Sequence, residues 1–438
     1  MNSQGNAPIA WFRNTAPYIN LHRGSTFVVV IPSEMAGNEE LSGLLHDVAL
    51  LSSLGVRIVL VQGCRTLIDD ALEAAGITSE MQAQRRITTH DAMPIIQQVC
   101  GAQRLDLEAR ISTSLPNSPM AGSKLRVASG NFVLAQPLGV VDGVDYQFTG
   151  RVRRIDRKAI QMLLDEGMLV LLSTIGFSPS GEAFNLTLSD VAISVAKTLK
   201  ADKLLLLGRS EGIHDDQGKL VRQSVAEDCT QILPADPEEQ RLLAIAKTAC
   251  DAGVTRCHIV SGRDRDALLT ELFTTDGSGT LITRQPYEQS RWANINDVGG
   301  IIDLIAPLEE EGVLLKRSRE RLEGEISRFR ILVRDGRIIA CAALYPFPED
   351  RSAELACIVS HPDYRGEKRA QRLLTELEAA AVEQGLSDVF VLTTQTAHWF
   401  LEQGFVEGSI DTLPQERQAL YNLQRNSKVF KKTLTQGA

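Results

Sequence analysis

A chain of 438 residues is long enough for two or three domains, each burying its own hydrophobic core. Its 43% hydrophobic and 23% charged content is that of a soluble globular protein. A formal net charge of −9 argues against nucleic acid or an anionic membrane as the main partner, and the sequence has neither a run of 18 apolar residues nor a signal-peptide core. The seven cysteines are scattered without a close pair of zinc-ligand spacing, which fits reduced thiols, a cytoplasmic location and no metal.

The first strand is "TFVVVI", an unbroken β-branched and aromatic run of the kind buried on both faces of a parallel sheet. Pro32, Ser33 and Glu34 follow it, where a phosphate-binding turn would carry glycines and a lysine. The helix "ELSGLLHDVALLSSLG" closes at Gly55, and "VRIVLVQG" is the next strand. "PLGVVDGVDYQFTG" reads as a hairpin, and "GMLVLLSTIG" and "DKLLLLG" as two further strands. Between those two lies a helix expected to be capped by Ser189 and Asp190. "RCHIVSG" and the helix "DRDALLTELF" complete a pattern of alternating strands and helices, predicting a doubly wound parallel sheet.

From about residue 288 the order changes to two helices, a hairpin turning at Asp335–Gly336, the strand "SAELACIVS", a helix, the strand "DVFVLTT", the helix "AHWFLEQG" and a last strand near 427–434. This half is α+β. The segment "VSHPDYRGEKRAQRLL" runs from a strand end straight into an amphipathic helix, whose free N-terminal amides and nearby Arg365, Lys368 and Arg369 suit a pyrophosphate.

That order of elements, with the loop Arg365-Gly366-Glu367-Lys368-Arg369-Ala370, resembles the GNAT acetyltransferases, whose loop reads R-x-x-G-x-[GA] and holds the pyrophosphate of acetyl-CoA. Lys368 replaces the middle glycine, which requires a helical backbone there. The blocks "PYINLHRG", "ASGNFVLAQPLGVVDGVDYQFTGRVRRID", "AELACIVSHPDYR" and "LPQERQALYNLQRNSKVFKK" extend the resemblance over nearly the whole chain, to the bacterial N-acetylglutamate synthases. The implied fold is an α/β amino-acid kinase-like domain at 24–287, preceded by a helical arm at 1–23 and followed by an α+β GNAT domain at 288–438.

The resemblance implies acetyl transfer from acetyl-CoA to the α-amine of L-glutamate, the first step of arginine biosynthesis. Arg317 and Arg425 occupy the family's positions for the substrate carboxylates, where bidentate guanidinium contacts are suited. Glu354 is the expected general base. The amides around Cys357, Ile358 and Val359 are expected on the pantetheine arm and thioester, with Cys357 as a small buried residue beside the substrate. Many GNAT enzymes use a tyrosine of the last helix, which this chain lacks; Thr393 matches the family position that bears a hydroxyl and is the candidate donor to the departing thiolate, with His398 the runner-up by chemistry alone.

"FTGRVRRID", "FNLTLSDVAISVAKTLKADKLLLL" and "GSGTLI" resemble the amino-acid kinases, which carry a lysine-glycine-glycine turn after the first strand and a threonine-aspartate pair after "LLLL". Pro32-Ser33-Glu34 and Gly208-Arg209-Ser210 stand there instead, so the domain is expected to lack kinase activity. In arginine-sensitive relatives it binds arginine and builds a homo-oligomer, a hexamer in the family. Tyr18, Glu271, Gly277 and Gly279 are the corresponding positions, with Asp264, Asp266 and Asp276 expected to cluster about the guanidinium. A second class of function stays open: an acetyl-CoA- and arginine-binding regulatory protein with both folds inactive.

Overall fold

The computed structural model describes residues 7–35, 39–112, 125–274, 276–284, 288–334, 336–364, 368–419 and 427–434, with side chains of 7–14 and of Asp363 left aside. The chain divides into two compact units, residues 1–286 and 287–438.

In the first unit eight strands form one sheet: β1 (Thr26–Ile31), β2 (Arg57–Gln62), β3 (Val127–Ser129), β4 (Leu169–Leu172), β5 (Lys203–Gly208), β6 (Gln223–Val225), β7 (Arg256–Ser261) and β8 (Thr280–Thr283). Their spatial order is β6-β8-β7-β5-β1-β2-β4-β3. The helices in chain order are α1 (Ala7–His22), α2 (Glu39–Ser53), α3 (Arg65–Ala74), α4 (Ala92–Ser112), α5 (Arg157–Asp165), α6 (Leu188–Leu199), α7 (Pro237–Asp251) and α8 (Ala267–Phe273). β1 lies near the centre of the sheet and is buried throughout. Val28 and Val30 join the core with α6 and α7, while Phe27, Val29 and Ile31 join the one with α2 and α8. Two apolar faces are why its sequence shows no alternation.

Three expectations change here. The sheet is mixed, because β8 runs antiparallel to β7 and β6 then pairs parallel to β8 at the edge. "GMLVLLSTIG" is two strands: β4 ends at Leu172, and Ile175–Phe177 enters a separate four-stranded sheet beside Val133–Pro137. Gly176 permits that turn-off, since a Cβ there would lie 2.8 Å from both Ala135 Cβ and Leu186 Cδ1. The cap of α6 is Thr187, whose hydroxyl accepts from the Asp190 amide, two residues before the expected Ser189. The hairpin in "PLGVVDGVDYQFTG" forms as read, with Asp142 and Gly143 both at positive φ.

Asp47 of α2 is 9% exposed and lies in a cleft with Glu40, Asp264 and Arg265. Burial, with Asp266 as a second cause, raises its pKa from 3.8 to about 7. A carboxyl whose folded pKa exceeds its unfolded one favours folding below about pH 4 and loses that contribution as pH rises through 7. The unfolding free energy is expected to fall by roughly 4 kcal/mol over this window. Urea unfolding of the full chain between pH 4 and 8 checks this, and Asp47→Asn flattens the slope.

The second unit holds a seven-stranded sheet: β9 (Gln289–Trp292), β10 (Phe329–Arg334), β11 (Arg337–Phe347), β12 (Ser352–Ser360), β13 (Asp388–Thr393), β14 (Val406–Gly408) and β15 (Lys428–Thr433). The order is β9-β10-β11-β12-β13-β15-β14, antiparallel except for the β12–β13 pair. Its helices are α9 (Val298–Glu310), α10 (Arg319–Glu325), α11 (Arg369–Glu383), α12 (Ala397–Glu402) and α13 (Gln415–Ala419). α11 packs on one face of the sheet and α9 on the other.

Candidate active site

The site is organised by β12. Its parallel pairing with β13 spans only Ser352 to Glu354, so from Leu355 onward β12 has diverged from β13 and a gap opens between the two strands. Opposite β11 the register slips: Cys341 faces Val359 while Ala343 faces Ala356, so Cys357 and Ile358 together oppose Ala342. Cys357 sits at φ +50°, the strained residue of this bulge. The extra residue reverses the alternation of side chains. Ala353 and Leu355 pack beneath α11, and Cys357 and Val359 pack beneath α9. Glu354 and Cys357 therefore share one face, which a regular strand would forbid.

On that face Glu354 receives a bidentate ion pair from Arg417 of α13, with Nε 2.6 Å from Oε2 and Nη2 3.1 Å from Oε1. Both side chains are largely buried, at 13% and 14% exposure. Tyr345 lies directly across from Glu354 on β11 and donates its hydroxyl to Glu325 Oε2 at 2.6 Å. Burial and the Glu325 carboxylate push the Tyr345 phenol well above its ordinary range.

Arg317, in the loop before α10, has Nη1 3.1 Å from the Leu315 carbonyl, while its amide donates to Glu309. Burial pulls its pKa down, but nearby Cys357, Tyr345 and Glu325 hold it above the usual value. Its Nε is buried with no hydrogen-bond partner among the described residues. A charged donor left in that state has an uncompensated desolvation cost, so the place calls for an anionic ligand. Cys357 is a buried thiol whose pKa burial raises to about 11, which suits packing rather than nucleophilic attack.

Thr393, at the end of β13, accepts from the amides of Gln395 and Thr396 and lies 2.8 Å from the Thr396 hydroxyl. With its oxygen accepting from amides, its own O–H is the group left to donate.

The anion loop differs from expectation at two positions. Lys368 is in the left-handed region, at φ +55°, where a helical backbone was expected. It caps α11, and its carbonyl receives the Arg372 amide. Arg369, read as a direct cofactor contact, is 5% exposed and has its guanidinium on Glu288 and the Tyr364 carbonyl. Ala370 follows in the first turn of α11. Arg365, Gly366, Glu367 and Arg425 lie outside the described residues.

In the first unit, Glu271 of α8 accepts from the Ser278 and Gly279 amides at 2.8 and 2.9 Å, and its Oε1 is 2.6 Å from His258 Nδ1. His258 Nε2 is 3.3 Å from Lys203 Nζ, so the ring is held as a neutral tautomer donating to Glu271 and accepting from lysine. Burial and Lys203 lower its pKa in agreement. A Cβ at Gly279 would lie 2.2 Å from the Ile259 carbonyl, and one at Gly277 would lie 2.4 Å from the Glu271 carboxylate. Backbone therefore excludes any side chain at Gly279, while at Gly277 the left-handed φ of +65° favours glycine and a side chain would have to displace the Glu271 carboxylate. The expected acidic cluster does not form as one group: Asp264 and Asp266 precede α8 near Asp47, and Glu271 lies toward its other end. Tyr18 is half-buried on α1 beside the core shared with α8, and His22 of α1 is 2.7 Å from the Leu272 carbonyl.

Residues 26–261 match the amino acid kinase family and residues 301–405 the acetyltransferase (GNAT) family. An amino-acid acetyltransferase of Pseudomonas syringae pv. syringae is 50% identical over 97% of this chain and 99% of its own. One from Azotobacter vinelandii is 51% identical at the same coverage. This chain belongs to the amino-acid acetyltransferase family. The enzyme's fold is also that of N-acetylglutamate synthase from Neisseria gonorrhoeae complexed with coenzyme A and L-arginine, at 36% identity, TM-score 0.89 and coverage of 98% and 99%. The same synthase complexed with coenzyme A and N-acetyl-glutamate matches at 37% identity with TM-score 0.63.

Several residues of this acetyltransferase escaped the sequence reading. Arg417 sits 63 positions from Glu354, and nothing in the spacing links them. Tyr345 would have followed from pairing "ALYPF" against "SAEL" across the turn, had the register been known. His258 lies inside an apolar strand and Lys203 opens one, and a polar residue interrupting an apolar run was the available signal for His258 alone.

Proposed function

We propose that this acetyltransferase acylates the α-amine of L-glutamate with acetyl-CoA, giving N-acetyl-L-glutamate and coenzyme A, under inhibition by L-arginine bound at the first unit. The observation that carries the reading is the buried Nε of Arg317, which has no hydrogen-bond partner among the described residues and lies near Cys357 and Tyr345. One carboxylate of glutamate satisfies it; Arg425 is assigned the other.

In this reading Glu354 takes a proton from the α-ammonium, and the free amine attacks the thioester carbonyl. The C–N bond forms while amides at the β12 bulge stabilise the oxyanion. The C–S bond then breaks as the nitrogen sheds its extra proton to become an amide, and a proton is relayed to the departing sulfur through the Thr393 hydroxyl, so that neutral amide and thiol are left. No acyl-enzyme is needed. The kinase-like unit is catalytically silent: the turn after β1 is Pro32-Ser33-Glu34, and Ser33 Oγ accepts the Thr66 amide. Glu271, Gly277 and Gly279, with His258 and Lys203, supply a carboxylate and close-approach backbone suited to arginine.

Thiol release from acetyl-CoA tests the whole. Release that depends on L-glutamate and falls with L-arginine is expected. Release with another amino acid but not glutamate refutes the substrate assignment, and insensitivity to arginine refutes the regulator.

Lys368→Gly gives a smaller effect. Left-handed φ costs a lysine about 1 kcal/mol that glycine does not incur. Because the left-handed backbone is already present in the folded protein, the variant is expected to gain roughly 1 kcal/mol of folding stability with little change in coenzyme A affinity, as read by urea unfolding beside titration calorimetry.

A further inference from the structure

We infer that Tyr345, anchored by Glu325, is a positioning residue for the amino-acid substrate, its phenol oxygen setting how the Arg317 guanidinium meets the substrate carboxylate. This rests on the reading above, in which Arg317 receives a carboxylate of glutamate and Glu354 takes the proton. Tyr345 is the side chain next to both of those groups. It pairs with Glu354 across the β11–β12 ladder, where facing residues of antiparallel strands share a face with their Cβ atoms about 5 Å apart. Arg317 lies near it, and Tyr345 packs on the same core as Cys357.

Two contacts fix the ring. The hydroxyl donates to Glu325 Oε2 at 2.6 Å, and the Arg328 guanidinium carbon lies 5.1 Å from the ring centroid. Glu325 is steadied in turn by Arg321, whose Nε is 3.0 Å from Oε1. An ionised carboxylate only accepts hydrogen bonds, so the phenol proton is committed to Glu325. What the oxygen offers its other neighbours is lone pairs, and a guanidinium is the neighbour that uses them. The backbone brings the two together: Glu325 closes α10, and Arg317 stands just before Ser318, which caps the same seven-residue helix. Arg317 Nη1 is on the Leu315 carbonyl at 3.1 Å, while Nε is buried with no hydrogen-bond partner among the described residues. A guanidinium is planar, so acceptors placed at its edge set the direction in which Nε points. With the plane set before the substrate arrives, the carboxylate is bound without the cost of ordering the arginine.

The test is a double-mutant cycle in the full-length protein: wild type, Tyr345→Phe, Arg317→Lys and the two together. Steady-state rates give kcat and the KM for L-glutamate and for acetyl-CoA, and calorimetric scanning gives Tm. Tyr345→Phe is expected to raise KM for glutamate about tenfold, the size of one hydrogen bond to a charged group. The kcat and the KM for acetyl-CoA should stay within about twofold. The double variant is expected to be no worse than Arg317→Lys alone, because the phenol acts through the arginine. Losses that multiply in the double variant overturn the proposal, and so does a KM for glutamate that stays put while Tm falls. Should Tyr345→Phe fail to fold, Glu325→Gln takes its place under the same criterion, since an amide donates as well as accepts and no longer commits the phenol proton. Wild-type protein without glutamate-dependent thiol release, or Arg317→Lys with an unaltered KM for glutamate, would instead overturn the reading above and this proposal with it.

Discussion

Glu354→Gln is expected to lower kcat by about 10²- to 10⁴-fold, the usual contribution of a positioned general base, with the Kd for coenzyme A unchanged. The α-amine of an amino acid is an ammonium at neutral pH and has no lone pair for attack. Of the groups on this face of the sheet, Cys357 is a buried thiol with a raised pKa and Tyr345 a phenol that stays protonated. The Glu354 carboxylate can accept a proton where those two groups cannot, and the nearby Glu325 carboxylate is taken up by the Tyr345 hydroxyl and Arg321. Arg417 grips both of its oxygens and so fixes the orientation of the lone pairs. Glutamine keeps the size and loses the basicity. Single-turnover measurement of thiol release separates chemistry from product release. A kcat within tenfold of wild type would remove Glu354 from this role.

Arg317→Lys is expected to raise KM for L-glutamate by about 10²-fold, from the range of 2–5 kcal/mol for breaking one partner of a desolvated charge pair. The KM for acetyl-CoA should stay within about twofold, since the lost contact is to the amino acid. Lysine preserves the charge, so the loss isolates the guanidinium geometry. The unpartnered Nε is the donor that a lysine ammonium cannot replace at the same point, and the second bond of a bidentate pair disappears with it. Initial rates over a glutamate series decide the matter. If KM for glutamate is unmoved while stability falls, Arg317 is a packing residue and the substrate carboxylate binds elsewhere.

Much of this architecture was legible from the chain. Runs such as "TFVVVI" and "DKLLLLG" have no alternation because both faces of the strand are covered, and that fact alone places them in the middle of a wound sheet. The hairpin at Asp142–Gly143 was announced by the two residue types that tolerate positive φ. The missing lysine and glycines after β1 were equally plain. So was the general position of Glu354, on a strand leading to a basic helix start.

The tertiary structure decided what depends on register and on distant partners. One extra residue at Cys357 reverses which face each later side chain takes, and a bulge leaves no mark on composition or period. The cluster expected around Glu271 separated because a seven-residue helix puts its two ends in different surroundings. Arg369 looked like a phosphate ligand by its place in the loop, yet an acidic residue 81 positions earlier holds it inside. Local sequence sets which backbone shapes are cheap. Which charges meet, and which donor remains without an acceptor, is set by long-range packing, whose energy no short window of the chain contains.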